Sequence, residues 1–143
     1  MPQLPDHETL RITISESWDN QHALLKARDF AGRAGFTVAE STIIATAVSE
    51  LSTNILRYAG KGELVLRVVR DRGQTGIDVL AVDEGAGIED IEKALQDNYT
   101  TTPGSLGLGL PSVRRMMDDF EIESGPGKGT RVKVRKWRNS GKS

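Results

Sequence analysis

Cysteine is absent from this chain of 143 residues. Without a thiol, the protein can form no disulfide, no thiolate zinc site and no cysteine nucleophile. A strong charge of one sign is also missing, because 19 basic residues stand against 20 acidic ones and the net charge is −1. Such a chain has no overall field that attracts a polyanion, so we expect neither nucleic acid nor membrane among its partners.

Long hydrophobic runs are missing as well. No stretch approaches the ~18 consecutive apolar residues of a membrane-spanning helix, and the first residues lack the basic region and apolar run of a secretory signal. We therefore expect a cytoplasmic protein. The length suits one domain over residues 1–143, which buries about two thirds of the surface of the unfolded chain. The polar ends, residues 1–8 and 139–143, are expected to be disordered.

The longest regular pattern in the sequence is helical. Residues 40–58 contain no glycine or proline, and apolar side chains recur there at helical spacing. Glu50 and Asn54 fall on the rim of this apolar face, with side chains roughly 6 Å apart. A lone glutamate at such a place is usually a solvated surface residue. Helix propensity does not explain Asn54, because an asparagine side chain competes for backbone hydrogen bonds.

A carboxylate one turn from a carboxamide suits a specific chemical task. The amide oxygen of Asn54 is a hard, neutral ligand of the kind that Mg²⁺ accepts together with waters and phosphate oxygens. The Glu50 carboxylate can accept a proton from an attacking hydroxyl or orient a water beside a γ-phosphate. The pair therefore indicates a place for magnesium and phosphate on this helix.

The remaining elements follow from periodicity and turn signals. Thr37 and Glu40 form a capping box for the long helix, and Ser17 or Asp19 can cap the helix before it. The predicted hairpin loop is Asp71–Gly76, and a short helix is predicted at residues 88–95. The order β-α-α-β-β-α-loop-α-β-β predicts an α+β fold, a two-layer sandwich with helices on one face of a mixed, mostly antiparallel sheet.

Asp83 ends the third predicted strand and is followed by Gly85 and Gly87. An acidic acceptor there can take a hydrogen from the exocyclic amino group of adenine, and the glycines leave room for the base. An ordinary strand-end aspartate in a turn is the alternative. Thr130, after the turn residues Gly127 and Gly129, can add a hydroxyl near the adenine, although a plain hairpin turn explains that motif too.

The segment Gly107-Leu108-Gly109 opens a predicted helix that runs from residue 108 to 119. Closely spaced glycines let phosphate oxygens approach free backbone N–H groups at a helix start. A hinge without a ligand is the alternative. The spacing matches neither the P-loop nor the dinucleotide-binding fingerprint. The polar segment Gln96–Leu106 before it is expected to be a mobile loop.

Basic residues are concentrated in the last predicted strand and just after it, at Arg131, Lys133, Arg135, Lys136 and Arg138. Such a cluster can contact nucleic acid. We expect instead a solvated, self-repelling edge of the sheet.

In this order and within one short chain, the motifs resemble those of the GHKL ATPase superfamily, whose members share the Bergerat fold. The resemblance covers nearly the whole chain. Within the superfamily the chain is similar to the anti-sigma-factor-type serine/threonine kinases, and most of all to the switch kinases of bacterial stressosomes. The segments that carry this similarity are Trp18–Gly35, Ser49–Ile55, Tyr58–Gly62 and Gly107–Pro111.

The resemblance implies a serine/threonine protein kinase that uses ATP and Mg²⁺. It implies that Glu50 is the general base, that Asn54 coordinates the metal and that Asp83 holds adenine. It further assigns the shape of the base pocket to Gly85 and Gly87. Phosphate contacts fall to Gly107, Leu108 and Gly109, under a lid at residues 96–106.

The resemblance also implies partners. STAS-domain scaffold or antagonist proteins would be the substrates, and the released kinase would bind and activate a metal-dependent protein phosphatase upstream of a stress sigma factor. The alternative is an anti-sigma factor that sequesters a sigma subunit and phosphorylates its antagonist. A degenerate pocket that serves as an interaction module is a third possibility.

Overall fold

Helices cover one face of an antiparallel sheet in the computed structural model, which describes residues 4–88, 90, 95 and 109–139. The elements are β1 (Thr9–Ile14), α1 (Asp19–Arg33), α2 (Val38–Tyr58), β2 (Gly62–Asp71), β3 (Gln74–Asp83), α3 (Leu110–Met116), β4 (Asp119–Ser124) and β5 (Thr130–Trp137). The predicted α+β two-layer sandwich is confirmed. The predicted helix over residues 88–95 and the loop over 96–106 lie outside the described residues, apart from positions 88, 90 and 95.

The strands lie in the order β1-β2-β3-β5-β4, and every neighbouring pair is antiparallel. The sheet of the described residues is thus wholly antiparallel rather than mixed. Alternate residues of its strands point toward the helices and are buried: Leu64, Leu66, Val68, Ile77, Val79, Ala81, Val132 and Val134. They meet the apolar face of α2, which includes Ile44, Val48, Leu51 and Ile55.

Helix starts follow local side-chain chemistry. The predicted capping box of α2 is confirmed: Thr37 accepts a hydrogen bond from the Glu40 N–H, and Glu40 accepts one from the Thr37 N–H. At α1 the predicted cap by Ser17 or Asp19 was wrong, because the N-cap is Trp18 and makes no side-chain cap bond. Asp19 is the first helical residue, and its carboxylate accepts the N–H groups of Ser15 and Glu16 before the helix, each at 2.9 Å. The bond from Ser15, followed by that from Glu16, lowers the pKa of Asp19 below its ordinary value.

The hairpin between β2 and β3 is tighter than predicted. Its turn consists of Arg72 and Gly73 alone, with φ of 54° and 80°, and Asp71 already pairs with Gln74. A two-residue turn with two positive φ values matches the twist of antiparallel strands, so the pairing continues to the turn. The expected loop over Asp71–Gly76 therefore reduces to two residues.

Part of the N-terminal segment that we expected to be disordered is packed. Leu4 is 7% exposed, and its N–H donates to the Arg33 carbonyl at 3.3 Å. Arg70 donates to the Leu4 carbonyl at 3.2 Å and pairs with Asp6. A buried leucine and a shared arginine thus fix residues that composition alone describes as a polar tail.

The basic strand β5 is not a sheet edge, because it lies between β3 and β4. Arg135 is paired across the sheet with Asp78, whose two carboxylate oxygens it contacts at 2.5 and 3.0 Å. These hydrogen bonds raise the pKa of Arg135 above its ordinary value. Lys133 lies 3.9 Å from the same carboxylate. The expectation of a self-repelling edge was wrong, because acidic partners on the neighbouring strands compensate the charges.

Candidate functional site

Helix α2 carries Glu50 and Asn54, one turn apart and both half-buried. The Asn54 Oδ1 atom is buried and has no hydrogen-bond partner among the described residues. An unpaired acceptor that is removed from water costs free energy, so its position calls for a ligand that the described residues do not supply. An amide oxygen of this kind fits a hard cation such as Mg²⁺.

Gly109 lies against the Glu50 side chain. Gly109 has a φ of 69° and precedes the first residue of α3, and a Cβ at this position would overlap the Glu50 carboxylate. Glycine therefore lets the backbone pass beside the acid without displacing the carboxylate. The other two residues of the predicted phosphate segment, Gly107 and Leu108, lie outside the described residues.

Asp83 is the last residue of β3 and is paired with Gly62 on one side and Thr130 on the other. Its Oδ1 atom accepts the Gly85 N–H at 2.9 Å, so the carboxylate shapes the turn that follows the strand. Asp83 and Thr130 are both half-buried. The structure thus brings two of the predicted adenine contacts side by side at one end of the sheet.

The glycines after Asp83 pack closely against neighbouring backbone. A Cβ on Gly85 would lie 2.7 Å from the Ala59 Cβ and 2.8 Å from the Tyr58 carbonyl oxygen. A Cβ on Gly87, whose φ is 86°, would overlap the Gly125 carbonyl. Glycine at both positions therefore lets the loop pack closely against the end of α2 and the β4–β5 turn.

Helix α2 links the two halves of the site. Its last residues pack on Gly85, as described above, and Ile55 packs on Gly62, beside the Asp83 Cβ. Asn54 directly precedes Ile55 in the chain, and Glu50 lies one turn earlier against Gly109. One helix therefore carries the candidate metal ligand and the candidate base, and contacts the turn that holds the candidate adenine acceptor.

Ser124 is a residue of the site that the sequence did not reveal. Its hydroxyl donates to the Gly129 carbonyl at 2.8 Å, accepts the Ile88 N–H at 2.7 Å and lies 2.9 Å from the Thr130 hydroxyl. The Gly127 N–H adds a bond to the Ala86 carbonyl at 2.7 Å. Together they fasten the loop after Asp83 to the β4–β5 turn. A serine at a strand end gives no local signal of contacts with a residue so distant in sequence.

The described residues fit a bound magnesium nucleotide in their chemistry. They offer an amide oxygen on Asn54 that no described residue pairs, the Glu50 carboxylate beside Gly109, and two hydrogen-bond acceptors, Asp83 and Thr130. Among the described residues, no helix is long and apolar enough to cross a membrane.

Comparison with known proteins shows the family of the chain. The profile of the family described as "Histidine kinase-like ATPase domain" matches residues 19–136. The chain belongs to this family, whose nucleotide is ATP.

Three curated relatives show how close the similarity is. The serine/threonine-protein kinase RsbT of Bacillus subtilis is 42% identical over 126 residues, which cover 88% of this chain and 94% of RsbT. The anti-sigma F factor of Thermoanaerobacter sp. strain X514 is 35% identical over 132 residues, or 90% of this chain and 92% of that protein. The anti-sigma F factor of Clostridium acetobutylicum is 36% identical over 129 residues, or 86% and 88%.

Proposed function

We propose that the chain is a partner-switching serine/threonine protein kinase, which transfers the γ-phosphate of ATP to a hydroxyl of a protein partner with the help of Mg²⁺. The observation that carries the proposal is the buried Oδ1 of Asn54, which no described residue pairs, on the same helix as Glu50. Similarity to a serine/threonine-protein kinase over most of both chains supports it.

Each candidate residue has a task in this proposal. Asn54 Oδ1 is the protein ligand of the metal, and the Glu50 carboxylate accepts the proton of the attacking hydroxyl. Asp83 accepts a hydrogen bond from the adenine amino group, next to Thr130. When bound, Mg²⁺ neutralises charge on the phosphate oxygens. Gly85 and Gly87 hold the loop that shapes the base pocket, and Gly107, Leu108 and Gly109 are proposed to contact the phosphates.

The proposed partners are STAS-domain scaffold or antagonist proteins as substrates, and a metal-dependent protein phosphatase that the released kinase activates in a stress pathway. The similarity to a kinase and to anti-sigma factors supports a partner switch. The stressosome setting rests on the sequence motifs that resemble switch kinases.

To test this function, the chain is incubated with labelled ATP, Mg²⁺ and a cognate STAS protein, and the labelled residue is then mapped. We expect label on a serine or threonine of the partner. Glu50→Ala should keep ATP binding in calorimetry but lose transfer, whereas Asp83→Asn should lose binding. Absence of label with every STAS protein tried, from a chain that binds ATP, would contradict the kinase function.

The similarity to anti-sigma F factors favours a second candidate, a protein that mainly sequesters a sigma factor and phosphorylates its antagonist. Pull-down with purified STAS protein, phosphatase and sigma factor separates the two. Capture of the STAS protein and the phosphatase supports the switch kinase. Capture of the sigma factor without the phosphatase supports the anti-sigma role.

A further inference from the structure

The Ser124 hydroxyl makes three hydrogen bonds at the base of the candidate adenine pocket, as given above. A serine hydroxyl has one hydrogen to donate and two lone pairs with which to accept. Its hydrogen goes to the Gly129 carbonyl, which can only accept, and one lone pair is taken by the Ile88 N–H. Only a lone pair is then left for the contact with Thr130 at 2.9 Å.

This count fixes the direction of the hydrogen bond between the two hydroxyls. Thr130 must donate its hydrogen to Ser124, because Ser124 has no second hydrogen to give. Once its hydrogen is committed in this way, Thr130 presents only lone pairs to any other neighbour. The Thr130 hydroxyl therefore acts toward the pocket as a hydrogen-bond acceptor.

The neighbour of Thr130 across the sheet is Asp83, and a carboxylate is also an acceptor. Two acceptors thus stand side by side at the end of β3 and the start of β5, and the Gly85 N–H occupies only one oxygen of the carboxylate. Such a pair favours a ligand group that donates two hydrogens, as a 6-amino group does, whereas a 6-oxo purine offers one N1–H beside its carbonyl oxygen. A carbonyl oxygen facing two acceptors would be left unpaired, which is costly in a site shielded from water.

We propose that Ser124 is a positioning residue for nucleotide specificity, because it turns the Thr130 hydroxyl into an acceptor and so selects a 6-amino purine over a 6-oxo purine. The inference rests on the proposed ATP-binding function and extends it. Ser124 does not touch the base itself and acts through Thr130.

The test compares the affinities of Mg-ATP and Mg-ITP by calorimetry, since the base of ITP carries an oxo group in place of the amino group. The wild-type chain should prefer ATP. In Ser124→Ala the Thr130 hydroxyl is free to rotate and to donate, so we expect the ratio of the two affinities to fall roughly tenfold. Ser124→Thr keeps the hydroxyl and should retain the wild-type ratio.

If the role of Ser124 were merely structural, Ser124→Ala would lower the affinities for both nucleotides alike and leave their ratio unchanged. That result would overturn the inference. If Ser124→Ala does not fold, the ratio of the ATP and ITP affinities is measured in Thr130→Val instead. Loss of the preference for ATP in this variant supports the inference, and an unchanged ratio contradicts it. A wild-type chain that binds neither nucleotide would instead contradict the proposed function, so the two failures are distinguishable.

Discussion

Gly109 and Glu50 are in direct contact across the packing of α3 on α2, and no other residue type fits at position 109 without moving the carboxylate. The backbone of Gly109 is also left-handed, with a φ of 69°. Two independent constraints therefore act on one residue. The first is the backbone strain that any side chain would have at this positive φ. The second is the space taken by the carboxylate of Glu50, the proposed general base.

Gly109→Ala should slow phosphoryl transfer strongly and lower the free energy of unfolding only modestly. The left-handed conformation costs an alanine about 1–2 kcal/mol, but the new methyl group also displaces the Glu50 carboxylate from its place. We expect the rate of transfer to a protein substrate to fall at least about tenfold, in line with the usual contribution of general-base catalysis. Single-turnover transfer of labelled phosphate measures this loss.

The matched control is Gly73→Ala. Gly73 has a φ of 80° and no atom within 4 Å of an added Cβ, in the turn between β2 and β3. Gly73→Ala should lose a similar amount of stability, measured by thermal unfolding. It should transfer phosphate to the protein substrate at nearly the wild-type rate. Equal losses of transfer in the two variants would show that backbone strain, not contact with Glu50, determines the effect.

Asn54→Ala should lose nucleotide binding without loss of stability. No described residue pairs with the buried Asn54 Oδ1 of the wild-type chain. A buried acceptor left unpaired costs on the order of 1–3 kcal/mol, and alanine is the better helix former. In the absence of nucleotide and metal, we expect the free energy of unfolding of the variant to equal or exceed that of the wild type. Urea titration measures this.

With Mg-ATP present the order of stability should reverse. The wild-type chain gains stability through ligand binding, whereas the variant gains little. EDTA should remove most of the gain from the wild type. A variant that is less stable than the wild type without ligand would show that Asn54 has a structural partner and would argue against its role as a metal ligand.

The positions of several candidate residues could be predicted from sequence because their signals are local. The capping box, the Glu50 and Asn54 pair and the strand-end position of Asp83 all depend on residues within about one helical turn or one strand. Ser124 could not be found in this way, since it bonds to Ile88, 36 residues away. Leu4 was missed for the same reason, because its partner Arg33 belongs to another element.

The error at β5 has a similar cause. The cluster of basic residues suggested an edge, but β5 pairs with β3 and leaves β4 outside. Which strands become neighbours depends on how the whole sheet buries its apolar face, and this is not encoded in any one segment. The charges of β5 are consequently matched by acids that lie far away in sequence, above all Asp78.

Asp78→Ala should destabilise the protein by about 2 kcal/mol, because it leaves Arg135 and Lys133 without their acid. Asp78 is 8% exposed, and the Arg135 side chain is 30% exposed, so solvent compensates the arginine only in part. Urea titration measures the loss. The control is Glu63→Ala, which breaks an exposed pair with Arg11 at 3.5 Å and should cost less than about 1 kcal/mol.

Glu40 should make the stability of the protein depend on pH. Burial of its carboxylate alone would raise the pKa, but the N–H donors of Thr37 and Asn139 outweigh burial, and the pKa is lowered from its ordinary value of 4.5. A carboxylate whose pKa is lower in the folded state stabilises the fold fully above its unfolded pKa. That contribution is lost as the pH falls through the lower, folded pKa.

Glu40→Gln tests this dependence, because the glutamine side chain offers one acceptor where two N–H groups, at 2.9 Å each, now meet two carboxylate oxygens. At pH 7 the variant should be less stable by about 1–3 kcal/mol. Its stability should also change less than that of the wild type between pH 5 and pH 3, a window chosen to span the ordinary value of 4.5. Glu63→Gln, on an exposed residue, should keep the wild-type slope. If Glu40→Gln shows the same dependence of stability on pH as the wild type, another carboxylate controls the loss of stability at low pH. The capping box then contributes through its geometry rather than its charge.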